Sequence, residues 1–446
     1  MRGKTTESKE TIESTELFDL VLNYEIHLAV INRTFKNNKM NNRDFDIIFW
    51  GSTGFTGKLV VEYMLRQYGT EGDVKWAMAA RNESKLKKVQ DELGASTVPY
   101  VIADSNDMNS LVNMVQRTKV ICTTVGPYAK YGSKLVEACI AHQTDYCDLT
   151  GEVQWIRKMI DQHHEAAKAN GTRIVNCCGF DSIPSDLGVY FFQNKVKEKT
   201  GDFAKHIKMR VKAVKGGMSG GTYASLSNVM AEAAEDKSIY KTLLDPYSLN
   251  PEGEREGMDE KDLQKVVYDE DAKSYLTPFV MASINTKVVR RSHALMGFPY
   301  GKDFKYDEAM LTGSGIGGRI KGYGVLAGMG VIMAAKPGSF LKKVVDRRLP
   351  KPGEGPSKEE RENGFYKFIV IGKMDDGTLL TGSVKGDRDP GYGSTSKMLA
   401  ECAVCLAKDK DSTPEISGVL TPTTAMGNVL LERLEKNAGL TFKVDF

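Results

Sequence analysis

Paired C-x-x-C motifs are missing from this 446-residue chain: of the seven cysteines only Cys402 and Cys405 have that spacing, and only Cys177 and Cys178 adjoin. An odd count without framework spacing excludes a disulfide scaffold and points to reduced thiols in a cytoplasmic setting. Each cysteine then reads as a small buried apolar residue. His/Cys metal spacing is also lacking, so no metal site is expected, and the six histidines are too scattered for a Ser-His-Asp triad. His163 and His164 fall on a polar helical segment and are expected to face solvent. An excess of either charge is absent too, because a net charge of +3 is nearly neutral at this length and nothing global points to nucleic acid. No apolar core of a signal peptide opens the chain. Residues 17–31 are interrupted by Asp19, Asn23, Glu25 and His27 and cannot span a bilayer. Finally, none of the 18 tyrosines has a lysine four residues later. The nearest case, Tyr131 and Lys134, is one residue short, which argues against the Tyr-x-x-x-Lys proton donor of short-chain dehydrogenases.

What remains is a chain that is 41% hydrophobic, enough for a large core and two domains. Its 43 glycines cluster in loops without a period, so neither a collagen-like nor a disordered reading fits. Residues 1–43 are charged and rich in Ser and Thr, and Met40 stands just before the first strand-like run. The first 39 residues are therefore expected to be a dispensable tail or an extension foreign to the native start. From residue 45 the pattern is regular. Strand-length runs at Phe45–Trp50, Lys75–Ala80, Val98–Ala103, Lys119–Val125, Thr144–Asp148 and Arg173–Cys177 alternate with helical periods near 55–68, 83–93, 107–117, 132–142 and 154–169. Parallel neighbours need crossovers, so this alternation predicts an α/β fold with a Rossmann-type doubly wound parallel sheet over residues 44–190.

Between the first strand and its helix lies "GSTGFTG", residues 51–57. Its spacing is G-x-x-G-x-x-G, with Ser52 where the usual dinucleotide fingerprint has its second glycine. The strand–turn–helix context still suits a pyrophosphate, because a helix start offers unpaired N–H groups and partial positive charge. Gly51 permits the tight turn, Gly54 lets backbone approach phosphate and Gly57 lets helix and strand sit close. Ser52, Thr53, Phe55 and Thr56 complete the loop. After the second strand, where an acid would bind the ribose of NAD, stands Arg81, followed by Asn82, Ser84 and Lys85. A guanidinium there matches a 2′-phosphate and predicts NADP(H). The plainer alternative is an exposed arginine at a helix start. Asp104, ending the third strand, is placed to meet the adenine edge, and Gly126, in "TTVGPYAKYG", lies on the nicotinamide side.

Eight motifs in order then resemble one family: "FDIIFWGSTGFTG", "VGPYAKYG", "TDYCDLTGE", "GFDSIPSDLG", "KGGMSGGTYAS", "LPKPGEGPS", "DRDPGYGSTSKMLAE" and "GVLTPTTAMG". The chain from 44 to 446 resembles the saccharopine dehydrogenase-like oxidoreductases, a group similar to bacterial trans-acting enoyl reductases of polyketide-type lipids. The resemblance implies a second, α+β substrate domain over residues 191–394 and C-terminal helices over 395–446 that return to the first domain. It also implies an NADP-dependent reductase of an enoyl or related lipid group. Two alternatives stay open: a saccharopine-type amino-acid dehydrogenase, and an NADP-binding lipid-surface protein without turnover.

Enoyl reduction needs a hydride at the β-carbon, a donor to the developing enolate oxygen and a proton at the α-carbon. Tyr128 after the fourth strand is the first candidate donor, and Ser182 or Asp181 after the sixth the second, although Asp181 can equally cap the following helix. Asp148 and Glu152 flank the same edge. The loop "GGMSGG" opens a helix expected from about Thr222 to Glu235, where it can hold an anionic group or simply connect. Val325 to Ala335 is an eleven-residue apolar run bordered by Arg319, Lys321, Lys336, Lys342, Lys343, Arg347, Arg348 and Lys351. Too short to span, it suggests peripheral attachment to a membrane or lipid droplet, with an ordinary core helix as the alternative. The expected partners are thus a small lipid-type molecule and a lipid surface, not nucleic acid; a homo-oligomer stays open.

Overall fold

Six apolar runs and their crossovers build the first sheet. The structure, a computed structural model, describes residues 43–216, 220–334, 339 and 355–446. Strands β1 (Phe45–Trp50), β2 (Trp76–Ala80), β3 (Tyr100–Ile102), β4 (Thr118–Thr123), β5 (Asp145–Cys147) and β6 (Arg173–Val175) are joined by helices α1 (Phe55–Tyr68), α2 (Glu83–Leu93), α3 (Met108–Val115), α4 (Ser133–Ala141) and α5 (Val153–Asn170). All pairs in this sheet are parallel, in the order β13 (Gly418–Leu420), β6, β5, β4, β1, β2, β3. With helices on both faces, the strands are nearly continuous apolar runs, and β1, β2 and β4 are buried almost throughout. Gly94 and Gly171 close α2 and α5 in the left-handed conformation, the turns expected from "LGAS" and "NGTR".

Helix α6 (Ile183–Thr200) leads to a second, mixed sheet ordered β14-β12-β11-β7-β10-β9-β8. Its strands are β7 (His206–Lys215), β8 (Val267–Asp269), β9 (Ser274–Thr277), β10 (Lys305–Gly313), β11 (Phe365–Lys373), β12 (Leu379–Gly386) and β14 (Leu440–Asp445). Four helices belong to the stretch between: α7 (Gly220–Glu235), α8 (Lys237–Leu244), α9 (Ala282–Leu295) and α10 (Gly315–Ala334). The first 42 residues, the centre of "GGMSGG" and the basic run after Ala334 fall outside the described residues, apart from Ser339.

The C-terminal segment is more than returning helices. After α11 (Thr395–Lys408) comes β13 (Gly418–Leu420), which pairs with β6 and so covers an edge of the first sheet. Helix α12 (Pro422–Arg433) follows, and β14 then pairs with β12 in the second sheet. Open strand edges carry unpaired N–H and C=O groups, so each short strand satisfies an edge that would otherwise be bare. His164 also departs from expectation: its Nδ1 accepts the Val419 N–H at 3.1 Å, binding α5 to β13 instead of facing water.

One buried pair fastens this seventh strand's segment to the first sheet. Arg173 on β6 contacts Asp145 on β5 at 3.0 Å and donates to Thr413 Oγ1 at 2.9 Å and Leu406 O at 2.8 Å. Arg173 and Asp145 are 2% and 4% exposed, so loss of Arg173 leaves Asp145, away from most of its water, with only the half-exposed Lys410 at 3.3 Å. Arg173→Leu is expected to cost about 3–5 kcal/mol of unfolding free energy. A fall in the urea midpoint of that size at unchanged slope checks it; a change below about 1 kcal/mol contradicts the assigned role.

Candidate active site

In the first sheet β1 and β4 are neighbours, and the chain leaves them toward opposite flanks. Their carboxyl ends mark the switch point where open α/β sheets bind ligands. The three glycines of the β1–α1 turn have separable tasks there. Gly51 has φ of +96°, and a Cβ on it would lie 2.6 Å from Thr124 Oγ1. Gly57 brings α1 against the turn so closely that a Cβ would stand 2.1 Å from the carbonyl oxygen of Gly51. Gly54, by contrast, is exposed, has an ordinary φ of −78°, and a Cβ would meet nothing nearer than Gly51 O at 3.3 Å. The protein itself leaves room at Gly54, on the side a phosphate would occupy. No side chain caps α1, so its first N–H groups remain available to an anion.

The remaining loop residues divide in two. Ser52 is buried and donates its hydroxyl to Phe49 O at 2.7 Å, so its side chain serves the strand end. Thr53 and Thr56 lie partly exposed on the rim. Phe55 packs edge-on against Tyr392 at 4.6 Å, joining the turn to the second half of the chain. Arg81 is exposed at the end of β2 and makes no ion pair or hydrogen bond with the described residues. Asn82 is committed as the cap of α2, accepting from Lys85 N at 2.9 Å, while the Lys85 side chain faces solvent. Asp104 closes its own turn by accepting from Asn106 N at 2.9 Å. Gly126 is exposed just past β4.

The far side of the cleft is built after β5 and β6. Asp148 is fully buried and accepts four hydrogen bonds: Thr150 N at 3.1 Å, Cys177 N at 3.2 Å, Tyr146 Oη at 2.8 Å and Asn176 Nδ2 at 2.9 Å. Burial nonetheless pushes its carboxyl up to about 7. Its grip holds Cys177 at φ of +64°, a conformation that costs a non-glycine residue of order 1–3 kcal/mol. Glu152 accepts from Tyr128 N and Ala129 N, each at 2.9 Å, and from Ser225 Oγ at 2.9 Å, so it braces the turn after β4.

The three candidate donors are placed very differently. Tyr128 is 3% exposed, lies 5.6 Å from the Trp155 ring and donates its phenol to Thr123 O at 3.2 Å. Burial lifts that phenol well above its usual range, and it sits in the core under β4, not in the cleft. Ser182 is buried and donates to Asn285 Oδ1 at 3.1 Å; Asn285 in turn donates to Glu308 Oε2 at 2.9 Å, and the Tyr306 phenol binds the other Glu308 oxygen. Burial raises Glu308 to about 7. Asp181 is partly exposed and caps nothing, since α6 has no side-chain cap. Among the described residues its carboxyl has no hydrogen-bond partner, and the enclosing protein pushes it up to about 7. One carboxyl oxygen lies 3.8 Å from where a Cβ on Gly151 would stand, so the glycine keeps the approach between the two loops open. Asn285 and Glu308 carry no sequence motif and lie more than 100 residues beyond Ser182, which is why reading the sequence missed them.

A glycine cradle open toward phosphate and an exposed guanidinium just past β2 fit NADP, and the fold is that of a Rossmann-type, NADP-dependent oxidoreductase. The Saccharopine dehydrogenase NADP binding domain family matches residues 47–175. Trans-acting enoyl reductases of Mycobacterium ulcerans and Mycobacterium bovis are each 37% identical to this chain, covering 88% of it and 96% of their own lengths. A Mycobacterium tuberculosis protein to which that name is provisionally attached is 40% identical over 404 residues, with the same coverage. Apo saccharopine dehydrogenase (L-Glu forming) from Saccharomyces cerevisiae aligns with a TM-score of 0.49 at 12% identity, over 90% of this chain and all of that one. The chain belongs to the saccharopine dehydrogenase-like family that contains the trans-acting enoyl reductases.

Two measurements test the cofactor contacts. Arg81→Ala is expected to weaken NADPH binding roughly 10- to 100-fold, the value of a charge-assisted hydrogen bond, and to leave NADH unchanged. Equal effects on the two cofactors in a fluorescence titration would refute the contact. Gly54→Val should remain folded by circular dichroism yet lose NADPH, whereas Gly57→Val should unfold, because its Cβ meets backbone. Normal NADPH affinity in folded Gly54→Val sinks the phosphate-cradle assignment.

Proposed function

We propose that this protein reduces the carbon–carbon double bond of an enoyl, lipid-type substrate, with Asp181 as the proton donor. The observation that carries the reading is Asp181, a partly exposed residue on the carboxyl edge of the first sheet whose enclosed carboxyl has no hydrogen-bond partner among the described residues and is raised to about 7, so still partly protonated at neutral pH. Bound NADPH supplies the hydride to the β-carbon. Asp181 then gives its proton to the α-carbon, and the carboxylate left behind is reprotonated from solvent. Ser182, fixed by Asn285 and Glu308, holds the turn that presents Asp181. The names of the related mycobacterial reductases support the same reaction class, and a saccharopine-type reaction is disfavoured because the described residues of this cleft include no set recognisable for an amino-acid dicarboxylate.

The lipid character rests on α10. Gly318 and Gly322 form its inward face; a Cβ on Gly318 would stand 2.0 Å from Gly313 O. Ile316, Ile320, Tyr323 and Val331 lie outward, 80%, 67%, 50% and 47% exposed. A helix with small residues inside and large apolar residues outside suits a lipid surface, and Arg319 and Lys321 on the same helix suit anionic headgroups. No helix among the described residues is long and apolar enough to cross a membrane.

Crotonyl N-acetylcysteamine thioester is a suitable first probe, followed by NADPH consumption. Since the donor must be protonated, turnover should fall as pH rises through about 7, and Asp181→Asn should lose most activity while binding NADPH normally. An Asp181→Asn enzyme with full turnover and the same pH profile excludes Asp181 as donor. For the surface, wild type should float with anionic vesicles and Ile316→Glu/Ile320→Glu should not; equal behaviour of the two removes α10 from the interaction.

A further inference from the structure

A shallow cleft over the outer face of α1, about 50 Å³ in volume, gathers five cations. Arg66 comes from α1, Lys358 and Arg361 from the short helix Lys358–Glu362, and Arg388 and Lys397 from the segment before and within α11. Glu62 and Glu362 also line it, leaving positive charge in excess. Lys397 is paired with Asp387 at 2.9 Å. Arg361 also feels the Asp389 carboxylate, whereas Arg66, Lys358 and Arg388 make no ion pair among the described residues. Arg361 donates to Pro356 O at 2.7 Å, Arg388 donates to Glu362 O at 2.9 Å, and Arg66 lies 5.7 Å from the Tyr63 ring centre. These contacts aim the guanidiniums without neutralising them. Burial, together with the nearby Arg388 and Arg66 charges, holds Lys397 below its ordinary range even against Asp387, a sign of crowding.

We propose that this cleft is a second anion site, separate from the cofactor cradle, for a phosphate ester carried on the handle of the substrate. Guanidiniums and an ammonium converging on a hollow with room for a few waters fit one tetrahedral oxyanion and not a nucleoside. The cleft is tied to the reaction edge by the segment that forms it. Gly393, Ser396 and Lys397 line it, while Thr395, between them, holds Phe180 N at 3.0 Å, one residue before Asp181. A phosphate gripped in the cleft therefore bears on the same segment that holds the chain just before Asp181. As a description of the substrate, this rests on the enoyl reading above; as an anion site, it does not.

The test compares two thioesters of the same acyl group, crotonyl-CoA, which carries phosphates, and crotonyl N-acetylcysteamine, which has none. In Lys358→Glu/Arg388→Glu, KM for crotonyl-CoA should rise at least about tenfold, with KM for the phosphate-free thioester and for NADPH unchanged. Calorimetric binding of CoA to the wild type, lost in the double variant, reads the site without turnover. Equal KM changes for both thioesters, a parallel loss of NADPH affinity or no CoA binding by wild type would each overturn the proposal. Binding of inorganic phosphate alone, with the two thioesters indistinguishable, would assign the cleft to free phosphate and overturn its role as a substrate handle. If CoA binds but neither thioester is reduced, the enoyl reading fails and the anion site stands.

Discussion

The buried carboxyl of Asp148 is the constraint on which the cleft depends. Four donors from two segments converge on it, and one of them, the Cys177 amide, belongs to a residue held in left-handed backbone. Strain of that kind persists only where its surroundings over-determine it. Relaxing Cys177 would swing the chain leaving β6, and with it Gly179, Asp181 and the start of α6. The carboxyl is thus less a reactant than a peg, and its elevated proton affinity reflects enclosure.

Other buried charges do similar work between the halves of the molecule. Glu401 on α11, wholly buried, accepts both Tyr63 and Tyr68 phenols at 2.6 Å and binds Arg433 and Asn437. Asp186 on α6 accepts from Ser292 and from Thr423 N. Such polar contacts add little net stability over an apolar core, because desolvation offsets most of their attraction. Their cost when broken is what matters: each leaves a charge without water, so the arrangement of helices around the cleft has few alternatives.

The first sheet was legible because every local cue agreed. Apolar runs buried on both faces, helical periods between them and glycines at helix ends all point to parallel crossovers, and the observed strands lie inside or within a residue of the runs read from sequence. The glycine turn was legible for the same reason, since Gly51 and Gly57 are required by backbone geometry alone. The donors were not. Whether Tyr128 faces core or cleft depends on one turn whose direction is set by Glu152, a contact across 24 residues. The Ser182–Asn285–Glu308 chain depends on two sheets meeting, and no periodicity encodes that. β13 and β14 were hidden by brevity: three and six residues beside helical stretches carry too little pattern to read as strands.

The dual membership of the C-terminal segment bears on how the molecule is made. β13 completes the first sheet and β14 the second, so each sheet stays one strand short until residues 418–445 have left the ribosome. An N-terminal Rossmann unit can ordinarily fold while the rest of its chain is still being translated. Here the nascent unit would wait with the edge of β6 bare, a surface that pairs readily with other strands. Completion therefore comes to both halves at nearly the same moment, and a chain cut short anywhere before residue 418 leaves two unfinished sheets instead of one good domain.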